Sequence, residues 1–266
     1  MKYVCHISGG MGSAVCWLRA LDRYGECDAV FANTNSEDPD LYRFLDDLER
    51  YTGRQIIRLN NDGQDIWACF RKHSAFTNGS GCLASWRLKQ LALKKFQQEN
   101  YPDAETTTIL IGMGPDEDDR QVRVAKRVAP YHVDFPLCWE PKLWNCDIQD
   151  FLKRRGFRIP SLYDKGYPHN NCGGACIMAG ISQWAGVLKD YPERFTHAEA
   201  EEQAMLKVIE ERERVPWTIL KDRRGGEHKT YSLKQLREDI EAGIRLPDDR
   251  WRSKSCSCMF SWGDDE

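Results

Sequence analysis

Two groups of residues in this sequence have the types and spacing for chemistry. The first is cysteine. Cys172 and Cys176 sit in a glycine-rich loop, CGGAC, and Cys256 and Cys258 in a polar CSC segment far along the chain. Neither pair falls in the apolar periodicity of buried structural cysteines, unlike Cys5, Cys16 and Cys27, which read as small core residues. Four thiolates are the complement of a tetrahedral zinc or of a four-iron cluster. The spacing is not the CxxC of zinc ribbons, so a metal-free alternative stays open in which Cys256 or Cys258 is a redox nucleophile. The second group is the run SGGMGS (8–13) behind YVCHI, with Ser8, Gly9, Gly10, Gly12 and Ser13 almost without side chains. Such a turn, leaving the first strand of a parallel sheet, sets backbone N–H groups and a helix N-terminus at the sheet's carboxyl edge. That is an anion site, and phosphate is the usual anion. The run fits neither GxGxxG nor GxxxxGK[ST]. Gly10 is expected where the backbone approaches phosphate, with a φ that a side chain would forbid. A tight turn without ligand is the plain alternative, and His6 reads first as a packed strand residue.

These residues need a scaffold to position them. The runs at 3–7, 28–34, 55–60 and 106–113 are short, β-rich and bounded by turn residues. Helical patterns lie between them, over roughly 13–24, from Asp38-Pro39 to Gly53, and over about 83–98. Strands alternating with helices predict βαβ units and a doubly wound α/β domain, its sheet mainly parallel, over residues 1–160. The second region, 161–266, is expected to be a helical, cysteine-bearing appendage packed on the first. It opens on turn formers and continues in helical patterns near 177–189, 197–214 and 232–242.

Composition sets limits on function. A chain of 266 residues with 41% hydrophobic and 30% charged residues buries a sizeable core. Its net charge of −3 argues against a globally basic nucleic-acid binder. The basic runs KRRGFR (153–158) and KDRRGGEHK (221–229) leave backbone contact with nucleic acid as the weaker reading and a solvated face as the plainer one. No apolar run approaches the ~20 residues of a membrane span, and the first residues lack a signal-peptide core, so a cytoplasmic location is expected. Eleven cysteines in a reducing compartment point to metal ligation or chemistry before disulfides.

Ser8, Gly9, Gly10 and Ser13 resemble the SGGxDS loop of the PP-loop (N-type) ATP pyrophosphatases and the phosphoadenylylsulfate (PAPS) reductase family, with Gly12 in place of that loop's aspartate. Further segments are similar in order. FANTNSEDPDLYRFL (31–45) resembles the second-strand segment, in which Asn33 and Thr34 would lie near the adenosine. GCLASWRLKQLAL (81–93) resembles the Cys-then-Lys segment that contacts substrate phosphate or sulfate, which points to Lys89. LIGMGPDEDDRQVR (110–123) falls on the family's Gly-x-Arg, with Gly112 on the glycine, Gly114 on the arginine and a basic residue displaced to Arg120 or Arg123. The segment 133–176 ends, as in the family, in LYDKGY and a cysteine.

The resemblance implies an adenine nucleotide, ATP with Mg²⁺, held at the glycine loop and cleaved at its α-phosphate with release of pyrophosphate, in sulfur or nucleotide-modification chemistry. Lys89, Arg120 and Arg123 would serve as the anion-reading catalytic residues. It also favours a [4Fe–4S] cluster over zinc at the four cysteines, and admits a sulfur donor or reductant as partner. A sulfonucleotide reductase releasing sulfite, and a non-catalytic nucleotide-binding module, are the alternatives. True PAPS reductases carry a Glu-Cys-Gly-x-His tail motif that is absent from this chain.

Overall fold

The computed structural model describes residues 1–78, 81–212, 217–222 and 229–246. Five parallel strands form one sheet in the order β3-β2-β1-β4-β5: β1 (Lys2–Ile7), β2 (Asp28–Asn33), β3 (Ile56–Asn60), β4 (Thr107–Ile111) and β5 (His132–Asp134). The chain starts in the middle, moves out to β3 on one side, then crosses back to β4 on the other. The β1–β4 boundary is therefore the switch point of the sheet, where the loops leaving adjacent strands diverge and open a crevice. Both faces are covered, as a parallel sheet requires. Cys5 and Ile7 join α1 (Met11–Tyr24), α2 (Pro39–Thr52) and α6 (Asn145–Arg154) in one apolar cluster, while Val4, Ile109 and Ile111 pack on the other face with Leu93 of α4 (Leu91–Asn100) and Val124 of α5 (Asp118–Val128).

Local chemistry explains the helix limits. The Asp38 carboxylate accepts from the Asp40 N–H (2.8 Å) at the start of α2, Pro39 supplies the first-turn φ, and Gly53 ends the helix in the left-handed region. Leu41, Phe44, Leu45 and Leu48 are all fully buried, each contributing roughly 1.5–3 kcal/mol of apolar burial. Between α3 (Ile66–His73) and α4, the pattern expected as one helix over 83–98 opens as a π-helical segment, Ser85–Gln90, before continuing as α4. The wider turn carries Lys89 inward and buries it.

Beyond the sheet, the short α7 (Ser161–Asp164) leads into the loop 165–180 and then α8 (Ile181–Asp190), α9 (Pro192–Glu211), the antiparallel hairpin β6 (Leu220–Asp222) and β7 (Lys229–Tyr231), and α10 (Leu233–Glu241). Their core is shared: Trp184, Phe195, Met205 and Leu236 cluster with Phe70 and Phe76, contributed from before residue 160. Packing thus crosses the division at 160. Buried Glu202 on α9 accepts from the Ile219 and Leu233 N–H groups (2.8 and 2.6 Å), fastening the hairpin and α10. No helix among the described residues is long and apolar enough to cross a membrane. Most of the basic run at 221–229 and the end of the helix expected over 197–214 lie outside the described residues.

Candidate functional site

A cleft of about 620 Å³ lies at the switch point, walled by the loops after β1 and β4 and by residues 163–171. Its floor is the glycine loop. Gly9 has φ +78°, and a Cβ there would meet the Leu41 side chain at 2.5 Å, so glycine is required for both reasons. Gly10, expected at a forbidden φ, is instead extended (φ −87°) and forms the N-cap of α1; what a side chain would meet there is the Tyr163 hydroxyl, 3.1 Å from its Cβ. The two serines lock the turn. The Ser8 N–H donates to Ser13 Oγ (3.1 Å), the Ser13 hydroxyl donates to the Gly10 carbonyl (2.9 Å), and Ser8 Oγ accepts from the Gly10 N–H (3.3 Å).

Gly12 stands where the resemblance expects aspartate, and packing supplies a reason. The backbones of Gly12 and Gly112 touch across the switch point: a Cβ on Gly112 would lie 2.6 Å from the Gly12 carbonyl oxygen, and one on Gly12 would lie 3.3 Å from that of Gly112. The first turn of α1 and the segment after β4 approach this closely at Gly12 and Gly112 because neither residue carries a side chain.

Of the residues expected to bind nucleotide, Ser8, Gly10, Gly12, Ser13 and Gly112 line the cleft, and Gly9 shapes the turn from behind. Asn33 and Thr34 do not line it. Asn33 holds the strand-end turn, accepting from Tyr42 Oη (2.8 Å) and the Asn35 N–H (3.0 Å), and Thr34 donates to the Glu37 carboxylate (2.9 Å). Among the expected anion readers only Arg120 faces the cleft, paired with Glu117 at 2.5 Å. Arg123 is exposed on α5. Lys89 is buried in a different polar knot, its Nζ 2.9 Å from Glu37 Oε1 and 3.4 Å from Asn171 Oδ1, while Glu37 Oε2 accepts from the Cys172 N–H at 2.6 Å. The cleft itself carries Asp116 and Glu117 against Arg120.

The segment around LYDKGY forms the opposite wall. Tyr163 Oη accepts from the Met11 N–H (3.4 Å), and Asn170 Nδ2 donates to the Gly9 carbonyl (3.2 Å). The next residues are the thiol loop. Cys172, at φ +55°, and buried Cys176 border a small void of about 10 Å³ with Cys82, Ser85, Thr34 and Lys89. Cys256 and Cys258 lie outside the described residues, and among the described residues no three His, Cys, Asp or Glu side chains are grouped to hold a metal ion.

Glu37, Glu117, Asn145, Tyr163, Asn170 and Asn171 are the site residues that sequence reasoning missed. All six lie inside segments singled out for their family resemblance, Glu37 in 31–45, Glu117 in 110–123 and the others in 133–176, but no signal within those segments marked them individually. His6 lines the cleft beneath the loop. It is buried, neither ring nitrogen has a hydrogen-bond partner among the described residues, and desolvation pushes its pKa down to about 4, so the ring is neutral near pH 7.

Comparison with known proteins adds three findings. An uncharacterized protein of Methanocaldococcus jannaschii is 33% identical over 98 residues, which span 36% of this chain and 20% of that protein's length. A crystal structure of phosphoadenylyl-sulfate (PAPS) reductase from Candida auris, a phosphate complex, superposes with a TM-score of 0.47 at 13% identity, covering 63% of this chain and 79% of that one. The family model of the phosphoadenosine phosphosulfate reductase domain matches residues 2–172, the segment that runs from β1 through the glycine loop and both cleft walls to Cys172. The chain belongs to the phosphoadenosine phosphosulfate reductase domain family.

Proposed function

We propose that the cleft binds an adenine nucleotide with its phosphates at the glycine loop, and that the chain promotes attack on the α-phosphate. In that step an acceptor forms a bond to the α-phosphorus, the bond to the bridging oxygen breaks, and pyrophosphate leaves from ATP. The observation that carries the reading is the placement of the 620 Å³ cleft over the N-terminus of α1 at the β1–β4 switch point. Backbone N–H groups there offer a preorganised partner for phosphate charge. The formal charges lining the cleft, Asp116, Glu117 and Arg120, sum to one negative, so they favour a nucleotide that brings its own divalent cation. Carboxylate oxygens of Asp116 and Glu117 are the hard donors Mg²⁺ takes, and such an ion usually shares its ligands between one or two carboxylates and the substrate phosphates. Its contribution would be to neutralise phosphate charge.

The void bordered by Cys82, Cys172, Cys176 and Lys89, next to the cleft wall, favours a second reading, sulfonucleotide reduction, in which a thiolate attacks the sulfate sulfur and releases the nucleoside phosphate. Two assays on the full chain separate them. Incubation with ATP and Mg²⁺ should release pyrophosphate in the presence of the acceptor, and calorimetry should show ATP binding that Gly10→Val abolishes while circular dichroism stays native. Sulfite release from PAPS with a thiol reductant would establish the second reading instead, and ATP affinity unchanged in Gly10→Val would move the nucleotide away from the loop.

A further inference from the structure

His6 is the one side chain of the cleft for which burial and lack of a partner coincide at both polar atoms. It is the penultimate residue of β1, in register with Val30 of β2 and Ile111 of β4, and is 3% exposed. Both Nδ1 and Nε2 are buried without a hydrogen-bond partner among the described residues. An unpaired buried polar atom costs stability, and an apolar residue would fit a central parallel strand better. The ring nevertheless lines the cleft, two residues before Ser8. Its surroundings decide what it would recognise. Ile111 and Met113, both buried, line the same cleft. In this apolar wall the ring stays neutral, so it presents one N–H donor and one lone pair and no formal charge. That is a poor partner for phosphate and a good one for a hydroxyl or heterocyclic nitrogen.

We propose that His6 hydrogen-bonds an uncharged group of the nucleoside half of the ligand, positioning it while the glycine loop takes the phosphates. This rests on the nucleotide reading of the cleft. The residue is a positioning residue, one that trades stability of the free protein for ligand recognition.

Calorimetry of the full chain with AMP and, separately, with pyrophosphate tests it, on the wild type, His6→Leu and His6→Gln. The expected result is a loss of roughly tenfold or more in AMP affinity for His6→Leu, the size of one uncharged hydrogen bond left unmade. Pyrophosphate affinity should be unchanged and Tm equal or higher, since two orphaned atoms are removed. His6→Gln, which restores a donor and an acceptor, should recover part of the AMP affinity. Parallel losses for AMP and pyrophosphate, no loss for either, or a lowered Tm with no recovery in His6→Gln would overturn the inference and leave the nucleotide reading intact. If the wild type binds neither probe, the nucleotide reading itself fails, and this inference with it.

Discussion

The buried ion pair between Glu37 and Lys89 yields the sharpest prediction of stability. The side chains are 0% and 3% exposed and their charged atoms are 2.9 Å apart. Glu37 holds three donors together: the Lys89 ammonium and the Thr34 hydroxyl on Oε1, and the Cys172 N–H on Oε2. In Glu37→Gln the amide nitrogen or oxygen must face a donor on one side, and the ammonium loses its counter-charge. Removing one member of a buried pair costs about 3–5 kcal/mol, against a total stability of about 5–15 kcal/mol for a typical domain. Lys89→Met leaves the carboxylate buried with two of its three donors, so a cost near the lower end of that range, about 3 kcal/mol, is expected. The double variant Glu37→Gln/Lys89→Met removes both charges and should cost at least 2 kcal/mol less than the sum of the singles. Urea unfolding followed by circular dichroism at pH 7 measures all four proteins. Single-variant costs below about 1 kcal/mol, or additivity within about 0.5 kcal/mol, would refute the reasoning, because either would mean that the pair is solvated or uncoupled. An unchanged Tm in Lys89→Ala with impaired kinetics would return Lys89 to the anion-reading role that its place after Cys82 suggests.

Three further outcomes are expected, two from the structure and one from the spacing of the cysteines in the sequence. Gly112→Ala should weaken ATP binding and cost about 1–3 kcal/mol, because its methyl group would sit 2.6 Å from the Gly12 carbonyl oxygen and push the first turn of α1 away from the segment after β4; a variant with wild-type Tm and ATP affinity by calorimetry would show that the two glycines do not meet as described. Burial pushes the Glu202 pKa up to about 7 from 4.5, so its contribution to stability is fully present below pH 4.5 and is lost as pH rises through about 7, a decline on the order of 3 kcal/mol; the difference in unfolding free energy between wild type and Glu202→Gln, followed from pH 4.5 to 7.5, should carry that slope, and parallel curves would contradict it. Serine at Cys172, Cys176, Cys256 or Cys258 should lower metal content in anaerobically purified protein, with loss of visible absorbance for an iron–sulfur cluster or of zinc for a colourless protein; metal-free wild type would leave a redox thiol as the reading for the loop.

The parts legible in the sequence are those fixed by neighbours along the chain. The four main strands and the Asp38-Pro39 start and Gly53 end of α2 are local events with local signatures. The glycine loop was legible for the same reason, down to Ser8 and Ser13. What escaped are properties of pairs far apart in the chain. Nothing near Gly10 announces that its neighbour is the hydroxyl of Tyr163 or that its φ is ordinary. The short β5 escaped because three residues, His132–Asp134, carry too little periodicity to register. Lys89 was placed correctly on a helix, but a π-turn and not an α-turn sets which way it faces.

Charge shows the limit most clearly. Lys89, Arg120 and Arg123 all follow sheet-edge positions, and from sequence each is an equal candidate to meet an anion. Glu37 and Glu117 separate them. Glu37, ahead of α2, claims Lys89 across 52 positions of sequence, while Glu117, three residues before Arg120, neutralises it within the cleft. On the proposed nucleotide reading, with Lys89 and Arg120 matched by carboxylates, phosphate would be left to groups without formal charge, the N–H groups at the start of α1. In that reading the cleft would draw the phosphate end by fixed dipoles. Its selectivity must then come from the uncharged atoms along its walls, which is where His6, Tyr163 and Asn145 stand.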